Sequence, residues 1–340
     1  MINYREDLSV SKAYKEKYAD GFEEIIKRRE RELSEKRRAY AKDIFKTPEK
    51  YREDFKRMLG WPLVDHEDGE LPVRSTKLSR EEGYTIYRME LEILEGLVMT
   101  GLYFELDGEE KKPLVIVQHG GLGTPEHIAG IDDTDTSNYN RMLERVLAQG
   151  VHVFAPQLFL WDEKKYEVAG DRREFDARLK RLGGSVTAVE LYGLKRILDY
   201  FEKNDNVLDY GMVGLSYGGF YTLFLSAIET RIRSAISCSF FNSRDNYPWS
   251  DWCWLGAAER FDDVEIACLS YPRSLCIEIG MKDELFNGEW GVKSYEALAE
   301  ACGEVGTDWL TFIPFDGTHE FCKDDEPIRR LANELKNIAK

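Results

Sequence analysis

The stretch of the 340-residue sequence that most constrains its fold is Gly214-Leu215-Ser216-Tyr217-Gly218-Gly219. An apolar run at residues 210–215, with the composition of a buried strand, leads into it, and a helix-like run at 217–228 leads out. A strand that becomes a helix across one residue needs small neighbours. Glycines at 214 and 218 let backbone crowd around Ser216, which is held in a strained turn with its hydroxyl above the end of a sheet. A bare Gly-x-Ser-x-Gly is a weak signal, and the strand–turn–helix setting gives it weight over the alternative of a glycine-rich turn whose serine only caps a helix.

The surrounding pattern predicts an α/β fold. Short apolar, β-branched runs at 114–118, 151–156, 210–215, 234–239, 274–280 and 309–314 alternate with helical signals at 139–149, 186–202 and 217–228. Such alternation builds a mostly parallel, doubly wound sheet with helices on both faces. Upstream, alternation at 84–89 and 91–106 predicts two or three antiparallel strands. Before that, large apolar residues recur at helical spacing (Tyr14, Tyr18, Phe22, Ile25; Tyr51, Phe55, Leu59), with breaks expected near Asp20-Gly21 and Thr47-Pro48. Gly60-Trp61-Pro62 then marks a boundary between a helical extension, residues 1–60, and a catalytic domain, residues 61–340.

Charge excludes some partners. The net charge of −16 repels polyanions and argues against nucleic acid. Residues 1–60 carry 17 Lys and Arg against 13 Asp and Glu, whereas 61–340 carry 30 against 50, so the two parts attract each other. The mixed-charge helices are expected either to cover the acidic body or to pair with a neighbouring subunit, giving a homo-oligomer. No apolar run approaches the ~18 residues of a membrane span, and the start MINYREDLSV lacks the apolar stretch of a secretory signal, so the expectation is a cytoplasmic protein. The six cysteines contain no Cys-x-x-Cys pair and read as reduced thiols, and no metal or cofactor motif stands out. Asp132, Asp133 and Asp135 read as a solvated helix start rather than a cation site.

Activating a serine hydroxyl requires a base near neutral pKa, which means an imidazole. Of the five histidines (His66, His119, His127, His152, His319) only His319 follows Ser216, and in a sheet of this kind the order is serine, acid, histidine. His319 is therefore the expected base, and His119 a structural loop residue. The acid that orients the imidazole is expected in the loop after 274–280, where Asp283 stands, with Glu284 and Asp316 as competitors. The oxyanion of an acyl-transfer intermediate needs preorganised N–H donors: the amide of Tyr217, and one from His119-Gly120-Gly121-Leu122-Gly123, with Gly121 favoured and Gly120 or Leu122 open. Residues 240–271 form an aromatic-rich insertion. Its Tyr247, Trp249, Trp252 and Trp254 read equally as a substrate-stacking wall or as core and subunit contact.

With these residues in place, the sequence resembles the bacterial esterases of the dienelactone hydrolase and acetyl xylan esterase-like group of α/β-hydrolases. The likeness runs through Leu59-Gly60-Trp61-Pro62-Leu63, His119-Gly120-Gly121, the Ser216 turn, Tyr271-Pro272-Arg273-Ser274-Leu275 and Gly317-Thr318-His319-Glu320-Phe321. It implies an α/β-hydrolase fold, a triad of Ser216, Asp283 and His319, and ester hydrolysis through an acyl-enzyme. Lack of an export signal favours small acetylated sugars or other small esters over polymeric xylan. Two rival expectations are a serine peptidase or amidase of the prolyl oligopeptidase type, and a non-catalytic binding or assembly protein on a hydrolase scaffold.

Overall fold

In a computed structural model, residues 2–61, 71–132, 137–160, 171–204 and 206–337 are described here. Nine strands form one sheet: β1 (Val73–Glu81), β2 (Tyr84–Leu94), β3 (Leu97–Leu106), β4 (Lys112–Gln118), β5 (His152–Pro156), β6 (Val207–Leu215), β7 (Ile232–Cys238), β8 (Ser274–Gly280) and β9 (Leu310–Phe315), in spatial order β1-β2-β3-β5-β4-β6-β7-β8-β9. The first three are an antiparallel meander and β3 joins β5 antiparallel; from β5 to β9 every pairing is parallel. The chain leaves β4 for β5 on one side and returns to β6 on the other. That reversal opens a crevice at the carboxyl ends of β4 and β6, where open α/β sheets bind their ligands.

The helices are α1 (Leu8–Ala41), α2 (Pro48–Leu59), α3 (Pro125–Ile128), α4 (Met142–Leu147), α5 (Arg172–Arg181), α6 (Val186–Glu202), α7 (Tyr217–Ile228), α8 (Asp263–Cys268), α9 (Gly288–Cys302) and α10 (Glu326–Lys336). Strand side chains alternate between two cores, as the pleat requires. Leu114, Ile116 and Met212 face a core shared with α2, α6 and α7, whereas Val115, Val117 and Val213 face one shared with α4 and α10. Because both faces are covered, the parallel strands are mostly apolar, which is why they stand out in the sequence.

The expected break at Asp20-Gly21 is absent, since α1 runs unbroken for 34 residues. A glycine inside a helix costs about 1 kcal/mol, which a helix of this length absorbs. The break at Thr47-Pro48 is real, with Pro48 opening α2. Tyr51, Phe55 and Leu59 of α2 are core residues, and the Phe55 ring packs edge-on to Phe224 of α7. Gly60 closes α2 in the left-handed region at φ 90°, as a helix-terminating glycine does, while Pro62 and Leu63 lie outside the described residues. The helix expected over 139–149 is also interrupted. A 3₁₀ turn at Ser137–Tyr139 gives way to Asn140 and Arg141 at φ 47° and 57°, and α4 begins only at Met142.

Among the described residues no helix is long and apolar enough to cross a membrane. All six cysteines are free, and only Cys253 is exposed.

Candidate active site

Ser216 terminates β6 and caps α7 with φ 60° and ψ −120°, a conformation that costs a non-glycine residue of order 1–3 kcal/mol and must be held by its surroundings. Its N–H donates to Cys238 O at 2.9 Å and its carbonyl accepts from Phe220 N–H at 2.9 Å. A methyl group on Gly214 would lie 2.3 Å from the Gly218 backbone, and one on Gly218 would lie 2.2 Å from Gln118 O. These two close approaches require glycine, and they press the start of α7 against the end of β4.

His119, at the carboxyl end of β4, is fully buried and structural. Leu158 N–H donates to its Nε2 at 3.1 Å, so the ring proton sits on Nδ1 and donates to Gly120 O at 2.8 Å. Burial pushes its pKa down to about 4, with the Gly120 contact opposing, and the ring is neutral. Gly120 N–H donates to the Tyr139 hydroxyl at 2.8 Å, which removes Gly120 from the three amides considered for the oxyanion. Among the described residues, the amides of Gly121 and Leu122 make no hydrogen bond. Tyr217 is the first residue of α7, so its N–H points out of the helix end beside Ser216.

The loops after β8 and β9 bring Asp283 and His319 together. Lys282 N–H donates to Gly317 O at 2.8 Å and Met281 N–H to Phe315 O at 2.9 Å, tying one loop to the other. Asp283 Oδ2 then lies 2.8 Å from His319 Nδ1, while Oδ1 accepts from Leu285 N–H and Phe286 N–H at 2.8 and 2.9 Å. With Nδ1–H donating to a carboxylate that is itself fixed, Nε2 is left as the acceptor. The competing acids are elsewhere: Glu284 is exposed, and Asp316 pairs with Lys282 at the surface, 2.6 Å apart. Among the described residues no hydrogen bond joins Ser216 Oγ to His319. Such contacts are often long in unliganded enzymes and tighten with substrate.

Two residues that the sequence reading overlooked brace this edge. Besides Tyr139 on the Gly120 loop, Asn140 donates from Nδ2 to Glu320 Oε2 at 2.8 Å and to Phe321 O at 2.6 Å, while Phe321 N–H donates to Asn138 O at 2.8 Å. One irregular turn therefore clamps both the His119–Gly123 loop and the His319 loop, and the left-handed Asn140 that broke the helix is what turns its side chain to that task.

The three tryptophans separate. Trp249 stacks on Trp252 (centroids 4.6 Å apart) and lies near Tyr217 and Phe286, and Phe286 sits 5.6 Å from the His319 ring. Trp252 is core, 2% exposed, behind Trp249. Trp254 packs on Phe224, with the Lys180 ammonium 5.3 Å from its ring. Trp249 is thus the partly exposed ring closest to the residues of the site.

Beneath Tyr217 lies a buried polar network. The Tyr217 hydroxyl donates to Asp251 Oδ2 at 2.7 Å; Arg172 donates from Nε to the same oxygen at 3.1 Å, from Nη1 to Glu190 Oε2 at 2.9 Å and from Nη2 to the Tyr221 hydroxyl at 2.8 Å. The Tyr221 hydroxyl in turn donates to Glu190. Nothing in the sequence spacing announces these partners.

No protein-family model matches the chain, and no curated protein matches its sequence. Solved structures do match. A protein provisionally named an acetyl xylan esterase, from Bacteroides fragilis, superposes with a TM-score of 0.64 at 17% identity over 81% of this chain and 76% of that one. A glucuronoyl esterase from Solibacter usitatus gives 0.61 at 12% over 84% and 91%, and acetyl xylan esterase 1 from Thermoanaerobacterium sp. gives 0.55 at 16% over 86% and 98%. The chain has the α/β-hydrolase fold. In α/β-hydrolases the chain order is nucleophile, acid, histidine, and in this chain Ser216, Asp283 and His319 follow β6, β8 and β9.

Proposed function

We propose that the protein is a serine carboxylesterase hydrolysing small carboxylic esters, acetylated sugars and oligosaccharides among them, through an acyl-enzyme. The observation that carries this is the His319–Asp283 pair, 2.8 Å apart, on loops at the carboxyl end of the parallel strands, the end at which the strained Ser216 also lies. Similarly folded proteins named as acetyl xylan and glucuronoyl esterases support the ester class.

In this reaction His319 Nε2 takes the Ser216 hydroxyl proton as Oγ attacks the ester carbonyl carbon. The negative charge that develops on the carbonyl oxygen is met by the amides of Tyr217 and Gly121, fixed donors that need no reorganisation at that moment. The intermediate collapses, the alcohol leaves with the proton from Nε2, and Ser216 holds the acyl group. Water repeats the sequence: Nε2 removes its proton, the hydroxide adds to the acyl carbon, and the acid departs as Oγ recovers the proton. Asp283 holds the ring in this tautomer and stabilises the imidazolium. Trp249, partly exposed and backed by the buried Phe286, offers an apolar surface on which the acyl group or a sugar face rests.

Release of p-nitrophenol from its acetate ester tests this. Wild-type protein is expected to turn over, and Ser216→Ala to lose several orders of magnitude in kcat, keeping only the residual rate that the oxyanion donors and binding supply; an unimpaired variant would end the proposal.

A further inference from the structure

Outside glycine, four described residues have a left-handed backbone: Asn140, Arg141, Ser216 and Ser239. The first two belong to the turn that grips the His319 loop, and Ser216 is the proposed nucleophile. Ser239, at φ 50°, has no role in the acyl transfer itself. Glycine would take this conformation without the crowding that a Cβ brings, so a serine here is unfavourable unless its side chain is needed. Ser239 is buried, 1% exposed, and its hydroxyl donates to Glu320 O at 3.1 Å, the carbonyl of the residue that follows His319. Cys238 Sγ donates to the same oxygen at 3.4 Å.

The backbone of these two residues reaches the rest of the site. Cys238 O accepts from the Ser216 N–H at 2.9 Å, and Ser239 N–H donates at 2.9 Å to Glu278 O, on the strand β8 that leads to Asp283. Cys238 ends β7 and pairs with Glu278, so the left-handed Ser239 is where the chain leaves the sheet. Three segments far apart in sequence, carrying the nucleophile, the acid and the base, are thus hydrogen-bonded to one dipeptide.

We propose that Ser239 is a positioning residue which, acting through Glu320 O, sets the distance and angle at which His319 Nε2 meets Ser216 Oγ. The assignment rests on the proposed esterase reaction. Asp283 holds the imidazole at Nδ1, and a ring held at one atom can still swing about it. Anchoring the backbone beside His319 removes that freedom. Glu320 is gripped twice, by Ser239 at its carbonyl and by Asn140 Nδ2 at its carboxylate, 2.8 Å away. Without the Ser239 hydroxyl the carbonyl keeps only a weak thiol donor from β7, and Nε2 drifts from its line to Oγ. The surface offered by Trp249 belongs to a different segment, so the loss falls on the chemical step and not on binding.

The test compares Ser239→Ala and Ser239→Gly with wild type in p-nitrophenyl acetate hydrolysis, with rates divided by the sites that a fluorophosphonate titrates to completion, so that a smaller folded fraction does not count. Ser239→Ala keeps the left-handed strain and loses the hydroxyl, whereas Ser239→Gly loses both. Each is expected to lose about tenfold to a hundredfold in kcat, as a displacement of about 1 Å would cause, with KM within about twofold. Fluorophosphonate labelling of Ser216 is expected to slow in proportion. Ser226→Ala is the control: this buried hydroxyl donates to Leu223 O at 2.9 Å near the far end of α7, and its loss is expected to lower the melting temperature and leave kcat unchanged. A Ser239 variant with wild-type kcat, a Ser239→Gly that recovers the activity lost in Ser239→Ala, or an equal loss in Ser226→Ala would overturn the assignment and leave the esterase reading standing. A wild type that neither hydrolyses the ester nor takes the fluorophosphonate at Ser216 would end that reading and this assignment with it.

Discussion

Replacing Asp283 by asparagine removes one charge and leaves the shape, and the structure dictates how the new amide must sit. Oδ1 accepts two backbone N–H groups, from Leu285 and Phe286, a position that only the amide oxygen can occupy without facing donors toward donors. The amide nitrogen is thereby turned to the Oδ2 position, 2.8 Å from His319 Nδ1. Its N–H donates, so Nδ1 must accept, and the ring proton moves to Nε2, the atom that has to take the proton from Ser216. The variant thus holds its base in the wrong tautomer and also loses the carboxylate that stabilises the imidazolium. Loss of this kind in a serine triad is worth about 10⁴ in kcat, or about 5–6 kcal/mol of transition-state stabilisation. The assay is kcat and kcat/KM for p-nitrophenyl acetate at neutral pH, with circular dichroism and melting to show that the fold is kept. A drop of less than tenfold in a folded variant would refute the assignment of Asp283 as the orienting acid.

Arg172→Met leaves the Glu190 and Asp251 carboxylates buried without their cation, since the Arg172 side chain is fully buried between them; a loss of about 3–5 kcal/mol is expected in urea unfolding, and a loss below about 1 kcal/mol would contradict the network described here. Glu278, on β8, is fully buried, among the described residues neither of its oxygens has a hydrogen-bond partner, and burial raises its pKa to about 7 against the opposing effects of Cys238 and Arg145. Because the folded state holds this proton more tightly than the unfolded chain, the residue costs nothing below the unfolded pKa of about 4, and stability is lost as pH rises toward about 7, reaching a penalty of about 3 kcal/mol. Glu278→Gln is therefore expected to gain stability over wild type more at pH 8 than at pH 5 in denaturant titrations, and a gap independent of pH would contradict this origin.

The strands and the strained turn at Ser216 were legible in the sequence because burial on both faces leaves little freedom of composition. Residues 114–117 are an unbroken apolar run and 274–280 a mostly apolar one interrupted by Glu278, and Gly214 and Gly218 stand where a methyl group would meet backbone. The sequence left Asp283, Glu284 and Asp316 open, since which carboxylate reaches His319 depends on how the turns after β8 and β9 point their side chains. The Arg172–Glu190–Asp251 network could not be read at all: in sequence these are isolated charges of the kind that usually face water, and only packing shows them buried. The clamp at Tyr139 and Asn140 was hidden inside an amphipathic pattern, because hydrophobic spacing reports a helix face and is silent about one left-handed residue. For the tryptophans, composition marks an aromatic cluster without saying which ring lies on top. Asp133 and Asp135 lie outside the described residues.

The central claim is that Ser216 Oγ is a nucleophile made reactive by His319, and covalent capture tests it most directly. Folded protein treated with a fluorophosphonate and analysed by intact mass and peptide mapping is expected to carry one adduct, on Ser216, with no labelling of Ser216→Ala and labelling of His319→Gln slowed by orders of magnitude. An adduct on a different residue, or His319→Gln labelled as fast as wild type, would contradict it.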